Sequence, residues 1–145
     1  MNISVNKELL RARADGYQLL GRLLLEGARP ELLETLGGAF GEAEAAEIDE
    51  LAAQHHQLLE VEVLPYATVF LEPGSQAGGQ AADVARQVCA ELDVPRATLD
   101  VSDDHIGALL VLLGRLDECE LRAAELDDEA LYFRVRRAQV RVLDE

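Results

Sequence analysis

The chain has 145 residues, 49% of them hydrophobic, and its 28 acidic against 13 basic side chains give a formal charge of −15. That length suits one compact domain with a real core, so residues 1–145 are read as a single unit. The negative charge would repel both a phosphate backbone and an anionic membrane surface. This excludes nucleic acid as a partner and makes a basic peptide a natural one, although excess acid on a small domain also serves simple solvation.

With aromatics at 4% and no Trp, the apolar content rests on Leu, Ala and Val, a composition that favours aliphatic helix packing and predicts an all-α bundle of about six helices. From Lys7 to Glu26, Leu9, Leu10, Tyr17, Leu20, Leu23 and Leu24 recur at three- and four-residue steps, predicting an amphipathic helix that Gly27 ends. Pro30 opens a short second helix with Leu32, Leu33 and Leu36 on its buried face, stopped by Gly37-Gly38. Glu42 to Leu59 predicts a third, with Ala45, Ile48, Leu51, Ala52, His55, Leu58 and Leu59 on one side. Glu60 to Pro65 alternates like a strand for a few residues but is read as helix, with Pro65 kinking or restarting it and Glu72-Pro73-Gly74-Ser75 turning the chain.

Ala81 to Leu92 places Val84, Ala85, Val88 and Leu92 at helical spacing before Val94-Pro95 closes the element. The most extensive apolar face belongs to the segment from Ser102 to Leu116, with Ser102 as N-cap and Asp103 and Asp104 complementing the helix dipole. It is expected to be the central, most buried helix. A last helix from Asp127 through Val142 sets Leu131, Val135, Ala138 and Val142 on one stripe and arginines elsewhere.

No apolar run approaches the roughly 20 residues of a membrane span, and the N-terminus lacks the basic-then-apolar pattern of a secretory signal, so a cytoplasmic protein is expected. Cys89 and Cys119 stand alone, without zinc-type spacing, and are read as buried thiols.

Three stretches, in order, resemble the TorD/DmsD/NarJ family of redox-enzyme maturation chaperones. They are Tyr17-Gln18-Leu19-Leu20-Gly21-Arg22-Leu23-Leu24, the segment Leu64-Pro65-Tyr66-Ala67-Thr68-Val69-Phe70-Leu71-Glu72-Pro73-Gly74, and Asp103-Asp104-His105-Ile106-Gly107 ahead of a leucine-rich helix. The last is similar to the family's Asp-His-Ile or Asp-His-Leu signature, although Asp103 stands where the family often has proline. The resemblance implies a TorD-like helical domain with no catalytic activity and no cofactor of its own. Its implied partners are the apo form of a molybdopterin-containing oxidoreductase and that enzyme's twin-arginine signal peptide. It also implies that Asp103, Asp104 and His105 contact the client. Family members usually continue through at least one further helix, so the chain reads as lacking the last ones, and a homodimer that exchanges helices is expected to cover the surface they would hide.

Bland readings stand beside these. Asp104 can cap a helix while His105 simply packs. Tyr66 and Phe70, four apart on one expected helix face, could line a peptide groove, yet such pairs usually belong to the core. A hydrolytic metal site built on Asp103, Asp104 and His105 would need further ligands, and His55 and His56, adjacent on one helix, point about 100° apart. A generic acidic adaptor is the remaining alternative. The glycines at 74, 78 and 79 lack the Lys-Ser/Thr and the strand of a phosphate-binding loop.

Overall fold

Asn6 starts the first helix, α1 (Lys7–Glu26), by accepting the Leu9 N–H on its Oδ1 at 3.0 Å, and Gly27 ends it in the left-handed region at φ +79°. A computed structural model describes residues 3–27, 29–40, 45–71 and 77–144, with backbone only at 36–40, 45, 46 and 60. The chain continues through α2 (Pro30–Phe40), α3 (Ala45–His56) with a π-helical extension (Gln57–Glu62), α4 (Ala67–Leu71), α5 (Gly79–Leu92), α6 (Ile106–Leu126) and α7 (Glu129–Asp144). No strand occurs among the described residues, so the predicted all-α fold is the observed one.

The expected central helix is central. In α6 eleven residues are buried, including Leu112, Leu113 and Leu116. Its C-terminus turns through Asp127 at φ +53°, and Asp128 Oδ1 then accepts the Leu131 N–H to start α7. The predicted stripe of α7 faces the core, where Val135 and Ala138 pack with Ala85, Val88, Cys89, Val94, Leu112 and Leu116, and Leu131 and Val142 close the edges.

Helix α1 runs antiparallel along α6, since Ala14 meets Gly114 while Gly21 meets Gly107. A Cβ built on Gly21 would lie 2.6 Å from the Gly107 carbonyl oxygen, so the two backbones nearly touch. The predicted leucine face of α1 is therefore corrected: Leu10, Ala14 and Gly21 are its buried residues, and Leu9 and Leu20 are exposed. Close contact through small residues leaves larger side chains at the flanks. Polar side chains fasten the same seam. The Arg13 guanidinium grips the buried Asp117 carboxylate through two 2.7 Å hydrogen bonds, and Gln139 Nε2 donates to both Asp117 and Glu120 at 2.9 Å.

Other boundaries differ from expectation. Gly37-Gly38 does not stop α2, which runs on to Phe40, because glycine weakens a helix without forbidding it. Glu42 and the turn Glu72 to Ser75 lie outside the described residues. The stretch after α3 is neither plain helix nor strand. It is π-helical to Glu62, with the Val63 N–H reaching the Leu58 carbonyl at 2.7 Å; Val63 is extended, and the Tyr66 N–H then turns back onto the Leu64 carbonyl at 2.9 Å. Pro65 explains the change, because a residue before proline is pushed from the helical region and proline offers no N–H.

Candidate functional site

The Asp-His sequence falls in the turn leading into α6. His105, not Ser102, is the N-cap: its Nδ1 accepts the Gly107 N–H at 3.0 Å. Asp103 and Asp104 consequently precede the helix and do not occupy its first turn, which corrects the expected dipole role.

Asp104 is completely buried. Its Oδ1 accepts the Gly78 N–H at 3.0 Å and its Oδ2 the Thr68 N–H at 3.3 Å, so one carboxylate joins α4, the head of α5 and the entry to α6. The backbone repeats the connection, with the Ala67 N–H on the Asp104 carbonyl and the Ile106 N–H on the Pro65 carbonyl. Burial alone would push the Asp104 carboxyl up, but the Ser102 and Thr68 hydroxyls and the Gly78 and Thr68 N–H groups together hold it below its ordinary value.

Asp103 is buried on the other side of the turn, gripped by Arg96 through hydrogen bonds of 2.8 and 2.7 Å and approached by Arg86 at 3.5 Å. His105 is buried too. Its ring meets Tyr66 edge-on, with centroids 5.2 Å apart and planes at 89°, and the two residues form an isolated antiparallel bridge. Four of the five candidate residues are thus brought together. Phe70 is not among them.

Tyr66 and Phe70 do not share a helix face, because Tyr66 lies in the bridge before α4 begins at Ala67. Tyr66 is half-buried, whereas Phe70 is 61% exposed and so belongs to no core. It extends a larger feature that the periodicity did not reveal. Leu51, Leu58, Val61, Val63, Leu64, Phe70 and Leu71 are all exposed, which makes the segment from α3 to α4 the densest run of uncovered large apolar side chains among the described residues. Helix α3 was expected to bury Leu51 and Leu58, but it makes no extensive packing contact beyond its own π-helical extension. Glu47, Asp49, Glu50 and Glu62 are exposed on the same segment.

A metal-dependent hydrolase is not supported by this geometry. The donor atoms of Asp103 and Asp104 are taken up by guanidinium and N–H groups, and His105 Nδ1 by Gly107. Among the described residues no three His, Cys, Asp or Glu side chains stand close enough to hold a metal ion. Nor is any described helix long and apolar enough to cross a membrane. Cys89 is buried and Cys119 half-buried, and desolvation pushes both thiols up.

Compared with known proteins, the chain matches the model of the family described as nitrate reductase delta subunit over residues 24–145. No curated protein and no solved structure gives a match.

Proposed function

Because the chain belongs to the nitrate reductase delta subunit family, a family of chaperones that bind and mature redox apoenzymes rather than catalyse reactions, we propose that its client docks on the uncovered apolar segment from Leu51 to Leu71. In this reading the client is the apo form of a molybdopterin-containing oxidoreductase, and the part that docks is its twin-arginine signal peptide. The chaperone acts in the cytoplasm and holds the enzyme back from export until its cofactor is inserted.

The observation that carries the reading is the chemistry of that face. A signal peptide presents two arginines ahead of an apolar stretch, and here exposed Leu64, Phe70 and Leu71 adjoin a segment that carries five acids and no Lys or Arg. Apolar burial would supply most of the affinity, at about 25 cal/mol per Å². Exposed ion pairs add about 0.2–1 kcal/mol each, so the acids select the basic end and speed encounter.

Asp103, Asp104 and His105 take an indirect part in this proposal. Asp104 and His105, buried and bonded to residues 65–68, position the start of α4 and with it Phe70, whose exposed ring makes the contact, while Asp103 holds the turn through Arg96.

The test is calorimetric titration with a synthetic peptide carrying two arginines before an apolar stretch. Wild-type protein should bind it, and Phe70→Asp should weaken binding by roughly tenfold or more with an unchanged melting temperature, because Phe70 supports no core. Full affinity in both Phe70→Asp and Leu64→Asp would place the docking surface elsewhere.

A further inference from the structure

Helix α3 stands on a fixed base but is weakly held itself. At the base, the Pro65 carbonyl accepts the Ile106 N–H at 2.7 Å and the Asp104 carbonyl accepts the Ala67 N–H at 2.8 Å, so the chain from Pro65 onward is tied to the entry of α6. Between base and helix lies the π-helical turn Gln57–Glu62, a wide i→i+5 turn of the kind that interrupts helices at functional sites, followed by extended Val63. Beyond that turn α3 makes no extensive packing contact with another helix.

Among the described side chains of α3 and its extension only Ile48, His55 and Leu59 are half-buried, seven and four positions apart, so a single narrow stripe docks. Leu51, Leu58 and Val61 lie off that stripe and are exposed. The His55 ring rests on the end of α1, where a Cβ added to Gly27 would lie 3.5 Å from Nδ1. Its Nε2 is shielded from solvent and has no hydrogen-bond partner among the described residues. Docking therefore strips water from this nitrogen and returns no bond, and release restores its water. Ile48 and Leu59 pull the other way, since their apolar surface favours the docked place.

We infer that α3 is a movable arm, which swings about the turn Gln57–Glu62 between a place docked on Gly27 and a released one, with the unpaired Nε2 of His55 keeping the two close in free energy. Release uncovers Ile48 and Leu59 beside Leu51, Leu58 and Val61 and so widens the apolar face. The arm regulates the docking segment proposed above, and to that extent rests on that reading. A client that needs the wider face binds only the released arm, and its apparent affinity scales with the released fraction.

Amide exchange of the full chain without peptide, followed by mass spectrometry, decides whether the arm moves. A released helix of 12 residues does not keep its own hydrogen bonds, so exchange in α3 reports the released fraction. His55→Leu removes the unpaired nitrogen at similar volume and should slow exchange in α3 by about fivefold or more, with α6 unchanged. Leucine also favours helix more than histidine does, so His56→Leu, the same change at the exposed neighbour, is the control and should slow α3 by about twofold at most. Equal slowing by the two variants, or none by His55→Leu, would overturn the inference. Titration with the peptide carrying two arginines before an apolar stretch then tests the coupling: its affinity should fall in His55→Leu by a factor comparable to the slowing. Unchanged affinity in a variant whose arm is held down would overturn the regulatory role. If the wild type binds no such peptide, the client reading fails, and the exchange comparison alone still decides the arm.

Discussion

At the scale of single residues, Asp104 ties together segments distant in the chain and does not complement the dipole of the helix that follows it. Its carboxylate takes N–H groups from Thr68 and Gly78 in a site with no water access, so it acts as a bolt between segments distant in the chain. A folded-state pKa held below its ordinary value of about 3.9 means that ionised Asp104 stabilises the fold above that pH and loses this contribution as pH falls through the lowered value. Asp104→Asn should therefore be less stable at neutral pH, by about 1–3 kcal/mol, because an amide nitrogen replaces one acceptor facing an N–H. The deficit should shrink as pH falls below the ordinary value, because the unfolded wild-type carboxyl then takes up its proton before the folded one does. Urea melts of both proteins at pH 7 and at about pH 3 check this. A constant difference across that range would mean the charge of Asp104 is not what matters.

At the scale of elements, the α1–α6 pair depends on residues that no hydrophobic count would select. Ala14 and Gly21 in α1, and Gly107 and Gly114 in α6, each stand seven apart, so both helices present small residues to the shared seam at every second turn. Gly21→Val would drive a side chain into the Gly107 carbonyl and Val111, and is expected to destabilise the protein by about 1–3 kcal/mol or more, read as a lower denaturation midpoint. Gly16→Ala is the control. It lies in the same helix with open space where its Cβ would go, and should be neutral or slightly stabilising. Equal losses for both would show that helix propensity, not close approach, decides the effect.

At the scale of the whole molecule, burial is uneven in a way that matches a binding protein. Helix α6 is surrounded by α1, α5 and α7, whereas α3 is exposed along most of its length. Native-state amide exchange should therefore be slowest in the middle of α6 and fastest, among the described helices, in α3. Measured by mass spectrometry under conditions that keep the chain monomeric, α3 should approach the exchange of a locally opened helix. Protection of α3 equal to that of α6 would show that its apolar face is already covered.

The sequence by itself determined the helical class, the central place of the segment after Asp104, the inward stripe of α7 and the family, because each rests on local periodicity or on an ordered set of short motifs. Gly27 as a helix end was equally local, since a left-handed residue there needs no Cβ. What only the tertiary structure decided were matters of partnership. His105 displaced Ser102 as the cap because the chain enters α6 from a bridge with Tyr66, and Asp104 left the surface because Thr68 and Gly78 converge on it from elsewhere. Leu51 of α3 and Leu58 of its extension looked like core by spacing and are exposed, because amphipathicity specifies that a face needs cover and only packing decides whether this chain supplies it.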